Sequence, residues 1–368
     1  MILTDIQVRR QSVPLKKPFK TALRTVTHAE SIIVQVRTDC GRTGFGEAPA
    51  TVVITGDSLA SIESAIMHTI RPQLIGQNLL TYEQVFHLLH QAMVGNSSAK
   101  AAVDMALYDL IAQRCNLPLY QFLGGHKKQI ETDYTVSVNA PDEMGDDAEA
   151  YVRQGFTTLK IKVGKDEIER DVERIKEIRR RIGTHIKIRL DANQGWEVKK
   201  AIRSIRKMED MGLDIEIVEQ PVKAHDLVGM KTVTDAVDTP VMADESIFTP
   251  QQALAIIQMR AADMLNVKLM KTGGIYKAQI INAMAEESGM ECMMGSMIES
   301  RLAVTAAAHF AGAKRNITRF DFDAPLMLRH DCIVGGVVYA GSQMTLPDVP
   351  GLGVQMVRGE EGECDNPS

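Results

Sequence analysis

The chain has 368 residues, of which 45% are hydrophobic and 24% charged, and 42 Lys and Arg stand against 47 Asp and Glu for a net charge of -5. These are ordinary globular values, and they exclude a disordered, collagen-like or disulfide-dense chain. With no basic block they give no nucleic-acid or anionic-membrane surface, so the expected partner is a small molecule.

The first ten residues, Met1 to Arg10, alternate apolar and polar side chains, which predicts a strand and lacks the continuous apolar stretch of a signal peptide. No apolar run approaches the ~20 residues of a membrane span. The five cysteines, Cys40, Cys115, Cys292, Cys332 and Cys364, are scattered and form no C-x-x-C pair. That pattern argues for reduced thiols and a cytoplasmic protein. The first hundred residues read as α+β: alternating runs at 2–8 and 31–38 are broken by turn signals such as Asp39-Cys40-Gly41 and Gly44-Phe45-Gly46, with helical patterns from about residue 58. An Ala-, Leu- and Met-dense helix is expected from Ala99 to Cys115, capped by Ser97-Ser98 and closed at Leu117-Pro118.

From Glu131 onward, short β-rich runs alternate with amphipathic helical stretches, the signature of βα units and a parallel sheet. Strands are expected near 132–138, 158–163, 186–191, 215–219, 239–244, 263–268, 290–296 and 317–321, with helices such as 167–181, 197–211 and 250–260 between them. Eight units favour a closed barrel over an open sheet, where G-x-G-x-x-G after the first strand would be the usual sign. No long helix pattern follows the eighth strand. Gly335-Gly336 and Val337 to Tyr339 return to strand-like sequence, and the polar tail Gly362 to Ser368 is expected to fray. A barrel alone, ~250 residues in its typical form, leaves over a hundred residues unexplained.

Ionisable residues fall at the carboxyl ends of these strands. Strand two carries Lys160 and Lys162 at one parity, strand three ends in Asp191, strand four in Glu219, strand five in Asp244 and strand six in Lys268. From Lys162 to Lys268 the steps are 29, 28, 25 and 24 residues, one βα unit each. That rim is where barrel active sites lie. A single Asp there could be no more than a helix cap, but three carboxylates on consecutive strands form an all-oxygen cluster that calls for Mg²⁺, with Mn²⁺ as the alternative. Strands two and six face each other in a ring of eight, so Lys162 and Lys268 would flank a substrate from opposite sides. The geometry suits removal of a proton beside a carboxylate on one face and its return on the other, through a metal-stabilised enediolate. Lys160 would lower the pKa of Lys162 by like-charge repulsion. Lys271 is the rival strand-six base, set aside because period 2 puts it on the other parity.

The motifs T-L-K-I-K-V-G, R-L-D-A-N-Q-G-W, I-V-E-Q-P, M-A-D-E-S and N-V-K-L-M-K-T-G-G together resemble the enolase superfamily, in its muconate-lactonising-enzyme subgroup. The resemblance spans the chain. It implies an α/β fold, a (β/α)7β TIM-like barrel of residues 126–325 beneath an α+β capping domain of residues 1–125 completed by 326–368. It implies one Mg²⁺ per subunit on Asp191, Glu219 and Asp244, and leaves a homo-oligomer open. Strand eight ends in Asp321-Phe322-Asp323, an Asp-x-Asp that resembles the dipeptide epimerases, where such carboxylates bind the free ammonium of the N-terminal residue. Two carboxylates at i and i+2 on one face suit a cation, although a second metal site or structural caps would use the same pair. Pro18 to Arg24 resembles the mobile loop that closes over the ligand, and Ile54 to Asp57 its companion. Arg24 matches the position that pairs with the glutamate side chain in L-Ala-D/L-Glu epimerases, while Thr135, Lys160, Ser296, Met297 and Ile298 match positions lining the dipeptide site. The implied activity is epimerisation of the C-terminal residue of L-Ala-D-Glu in cell-wall peptide degradation. The alternatives are the same chemistry on another dipeptide or an N-acylamino acid, or an o-succinylbenzoate synthase or cycloisomerase activity. A Schiff-base aldolase on Lys160 or Lys162 would leave the three carboxylates without a purpose, and a solute-binding protein would leave the opposed lysines without one.

Overall fold

A computed structural model describes residues 1–357; Cys364 and the polar tail from Gly362 lie outside the described residues. The N-terminal alternation becomes a three-stranded antiparallel sheet, in which Leu3–Lys20 pairs with Thr25–Thr38 and Thr25–Thr38 with Thr43–Pro49. A register shift between Pro14 and Phe19 bends the far end of the first hairpin, whose tip is Thr21 to Arg24. The helix Ser97–Arg114 lies directly on the third strand. A Cβ at Gly44 would sit 2.2 Å from the Ala106 carbonyl oxygen, and one at Gly46 1.9 Å from that of Ala102, which explains the G-F-G sequence as a close-approach surface. The start of this helix corrects the sequence expectation. Its N-cap is Asn96, in the left-handed region and without a side-chain capping bond, while Ser98 is buried and its N–H is taken by the Asp57 carboxylate at 3.1 Å. A partner 41 residues away does the capping.

The eight βα strands are Tyr134–Val136, Thr158–Lys162, Lys187–Asp191, Ile215–Glu219, Val241–Ala243, Met264–Val267, Glu291–Met294 and Ile317–Phe320, hydrogen-bonded in chain order and parallel. We number them strands one to eight. Each of strands one to seven is followed by a helix; Ile168–Ile182, for example, buries Ile168, Val172, Ile175, Ile178 and Ile182 on one stripe. After strand eight there is a single turn, Ala324–Met327. The sheet curls until strands eight and one meet at a seam without a regular ladder. It is bridged by the Asp133 N–H to the Phe320 carbonyl (3.3 Å) and the Phe322 N–H to Thr132 Oγ1 (2.8 Å).

Inside the barrel, Ile217, Met242, Met264 and Met293 from four adjacent strands form a separate apolar cluster. Beside it Arg189 pairs with Asp133 at 2.9 Å and with Glu216 at 2.7 Å. The C-terminal segment divides: Val338–Ala340 and Gln343–Thr345 form a sheet with Gln129–Glu131, while Ile333–Gly335 pairs with Val354–Val357. Leu352 N–H donates to Asp109 of the helix Ser97–Arg114, and Arg9 of the first strand reaches the Val357 carbonyl. Cys40, Cys115, Cys292 and Cys332 are free thiols, and among the described residues no helix is long and apolar enough to cross a membrane.

Candidate active site

A narrow cavity of about 70 Å³ opens at the carboxyl ends of the strands. Its lining includes Arg24, Thr135, Lys160, Lys162, Asp244, Lys268, Ser296, Met297, Ile298, Asp321 and Asp323. Asp191 and Glu219 lie next to it, fully buried, in contact with the lysines. Lys162 Nζ is 2.5 Å from Asp191 Oδ2, and Lys268 Nζ is 2.8 Å from Asp244 Oδ2 and 4.0 Å from Glu219 Oε1. The two lysines therefore stand at opposite ends of a row of carboxylates from strands three, four and five. A larger cavity of about 750 Å³ lies against the helix Pro141–Arg153 and shares Phe19 and Thr135 with the first, but it contains none of the row.

Burial sets the electrostatics. Six buried carboxyls, Asp191, Glu219, Asp244, Glu245, Asp321 and Asp323, face four buried ammonium groups, Lys160, Lys162, Lys268 and Lys271. Burial, reinforced by Asp191, pushes Glu219 up to about 7, and burial with Asp244 pushes Glu245 up to about 8. Burial acts the same way on Asp244, but Lys268 and Lys271 outweigh it and hold that carboxyl below its usual range. Burial would depress Lys268, yet Asp244 and Glu219 keep it above the ordinary lysine value. The Lys160 ammonium binds Asp321 and is 3.8 Å from both Asp191 and Glu219. Its own pKa is raised by these carboxylates against the opposing effect of burial. The Lys160 charge is thus shared among three anions, Asp321, Asp191 and Glu219.

The donor chemistry fits a hard cation. Glu219 Oε2, Glu245 Oε2 and Asn193 Oδ1 are buried oxygens without a hydrogen-bond partner among the described residues, and the carboxyls outnumber the ammonium groups. Among the described residues no three such ligands already converge on one point, because each carboxylate of the row has turned toward a lysine or an amide. Asp191, Glu219 and Asp244 would hold the ion once those ammonium contacts loosen.

Several contributors escaped the sequence reading. Asn266 donates to Glu219 Oε1 at 2.6 Å; it shares the parity of Lys268, so period 2 carried the signal. Gln220 is fully buried at φ 38, and its side-chain oxygen accepts the N–H groups of Asp244 (2.8 Å) and Ser246 (3.2 Å), tying strand four to strand five. Asn193, at φ 42, donates to Glu245 at 3.2 Å. Phe19 lies with its ring centroid 5.7 Å from Lys162 Nζ. Lys271 corrects an argument as well: strand six ends at Val267, and Lys271 sits in the helical turn Leu269–Thr272, where strand parity no longer applies. Its ammonium is absorbed by the Asp244 carbonyl (2.5 Å), Asp244 Oδ1 (2.5 Å) and the Asn266 carbonyl (2.9 Å), away from the cavity lining.

At strand eight, Asp321 meets Lys160, and Asp323 accepts the Thr135 N–H at 2.6 Å. Burial and the neighbouring Asp321 push Asp323 up to about 6, so the pair would gain from a second cation. Ser296 donates to the Asp321 carbonyl at 3.1 Å. Arg24, in the same cavity lining, is half-buried at the hairpin tip, and burial lowers its pKa. Among the described residues its guanidinium has no hydrogen-bonding or ionic partner.

A capped barrel whose mouth joins opposed lysines to a row of buried carboxylates defines the enolase class of barrel. Residues 3–124 match the family model for the mandelate racemase / muconate lactonizing enzyme N-terminal domain, and residues 143–360 the enolase C-terminal domain-like model. The chain is 61% identical over 364 residues to the L-Ala-D/L-Glu epimerase of Bacillus subtilis (98% of this chain, 100% of the relative). It is 51% identical over 355 residues to that of Clostridium acetobutylicum (96% and 99%). A substrate-liganded structure of the B. subtilis enzyme superposes with a TM-score of 0.96 at 62% identity, covering 96% of this chain and 99% of that one. A dipeptide epimerase from Enterococcus faecalis complexed with Mg and L-Leu-L-Tyr gives 0.94 at 42% identity, covering 97% and 100%. The chain belongs to the mandelate racemase / muconate lactonizing enzyme family of the enolase superfamily.

Proposed function

We propose that this chain is an isomerase that inverts the Cα of the C-terminal residue of a dipeptide, interconverting L-Ala-D-Glu and L-Ala-L-Glu. The observation that carries the substrate is Arg24, a half-buried cation without a counter-charge among the described residues, in the same cavity lining as a buried carboxylate pair. An anionic side chain would complete the first, and an ammonium the second. Asp321 and Asp323 would hold the alanine ammonium, and Arg24 the glutamate γ-carboxylate. Thr135, Ser296, Met297 and Ile298 would shape the space between. Mg²⁺, one per chain on Asp191, Glu219 and Asp244, with Mn²⁺ as a substitute, would supply positive charge to the C-terminal carboxylate and so acidify the adjacent Cα–H. Lys162 would take the proton from one face and Lys268 return one to the other. Lys160 would hold Asp321 and add positive charge beside the carboxylate row. Free thiols fit a cytoplasmic setting, where peptides recovered from the cell wall would be the source of substrate.

We divide the chain into a capping unit, 1–125 with 326–368, and a catalytic barrel, 126–325. The direct test is incubation of the Mg²⁺-loaded enzyme with L-Ala-L-Glu, followed by hydrolysis and chiral separation. D-Glu should accumulate while alanine stays L; inversion of alanine, or of neither residue, would overturn the reading.

A further inference from the structure

The helix that follows strand six, Ile275–Glu287, is capped in trans. Its first N–H groups, from Ile275 and Tyr276, donate at 2.6 and 3.3 Å to the two oxygens of Asp104, which belongs to the cap helix Ser97–Arg114. Asp104 is fully buried, with His90 Nε2 at 3.5 Å and the His90 ring stacked on Tyr276. Gly274, at φ +118, makes the approach possible, since a Cβ there would lie 2.2 Å from the Asp104 Cγ. Just ahead of the helix, the turn Leu269–Thr272 is held by Lys271, whose ammonium binds Asp244 and the Asn266 carbonyl. Lys268 stands at the head of that turn, ahead of both anchors in the chain. Lys162 is different: it lies within a strand paired on both sides, and its place is set by the sheet.

We propose that Asp104 is a positioning residue for Lys268, fixing from the cap domain the reach of one base and not of the other. The proposal rests on the reading of Lys162 and Lys268 as two opposed bases. An N-terminal N–H pair that loses its carboxylate is left buried and unsatisfied, so the turn behind Lys268 relaxes. Displacement of a reacting group by ~1 Å costs up to about a hundredfold in rate. The loss should therefore fall on one face of the substrate.

The test is α-hydrogen exchange in D₂O, followed by NMR from L-Ala-L-Glu and from L-Ala-D-Glu separately, with Mg²⁺-loaded enzyme. Exchange by the wild type tests the two-base reading itself, and Lys268→Ala identifies the epimer whose proton Lys268 removes. Asp104→Asn should slow exchange of that epimer by roughly ten- to a hundredfold and leave the other within about threefold. Gly274→Ala pushes on the same carboxylate from the barrel side and should give the same bias should Asp104→Asn fail to fold. Equal slowing of both epimers, no slowing, or a bias toward the other epimer would overturn the proposal, because a merely structural cap would move both rates together.

Discussion

Along the barrel rim every ammonium group has a carboxylate: Lys162 meets Asp191, Lys160 meets Asp321, and Lys268 and Lys271 share Asp244. At the tip of the cap hairpin, Arg24 has none among the described residues. The rim is a set of short strands whose ends are fixed by parallel pairing on both sides, so its lysines can be buried with a carboxylate held against each, while the carboxyls remain in excess. The hairpin tip lies beyond a register shift, and its one charge has no partner among the described residues. In the proposed reaction, chemistry would reside where each lysine already has a carboxylate and the surplus acids await a metal, and selectivity where a lone cation awaits the substrate. The proposed reaction needs both: matched lysines and acids to move a proton, and an unmatched cation to choose glutamate.

The sharpest way to break this division is at the rim. Lys162→Ala or Lys268→Ala should lower epimerisation by about 10²- to 10⁴-fold, the range for removing a positioned acid or base, with L-Ala-L-Glu affinity measured by calorimetry little changed. Chelation of the metal should abolish turnover, and Mg²⁺ should restore it; full activity after exhaustive chelation would contradict the role given to Asp191, Glu219 and Asp244. The hairpin offers a smaller and more selective effect. Arg24→Met should raise KM for L-Ala-L-Glu by roughly ten- to a hundredfold, the worth of a charge-assisted pair, while an uncharged dipeptide such as L-Ala-L-Phe is unaffected or improved.

The smallest effect tests how the two regions are joined. His309, buried on the barrel helix Arg301–Ala313, accepts the Tyr120 N–H at 2.9 Å and contacts the Leu352 carbonyl at 3.3 Å. Burial pushes its pKa down to about 4, so the folded protein keeps the ring neutral where the unfolded chain protonates it. The contribution is present above the unfolded value near 6.5 and is lost as pH falls from there toward 4, by roughly 3 kcal/mol if the full shift is realised. Urea denaturation of wild type and His309→Gln should therefore converge in stability between those pH values. A gap that widens on acidification would contradict the sign.

What could be read from the sequence follows the same division. The strand ends were legible because βα units repeat at nearly even intervals and period 2 assigns each charge a face; Lys162, Asp191, Glu219, Asp244 and Lys268 all come from that arithmetic. Asn266 obeys it too and was passed over for lack of a charge. The trans caps were invisible, since nothing near Ser98 or Ile275 announces that Asp57 or Asp104 will supply the acceptor. Lys271 shows the limit of parity, which expires where a strand turns helical. Arg24 could be assigned by resemblance but not by pattern, because a hairpin tip has no period.

In the proposed reaction, glutamate is chosen by an arginine without a partner among the described residues, while rim lysines move the proton. The measurement that tests it most directly is the rate of α-hydrogen exchange in D₂O for L-Ala-L-Glu, L-Ala-L-Phe and N-acetyl-L-Glu with one Mg²⁺-loaded preparation. Exchange of L-Ala-L-Glu should be far faster than that of the other two, which lack the side-chain carboxylate and the ammonium respectively. Comparable rates for all three, or no exchange from any, would contradict it.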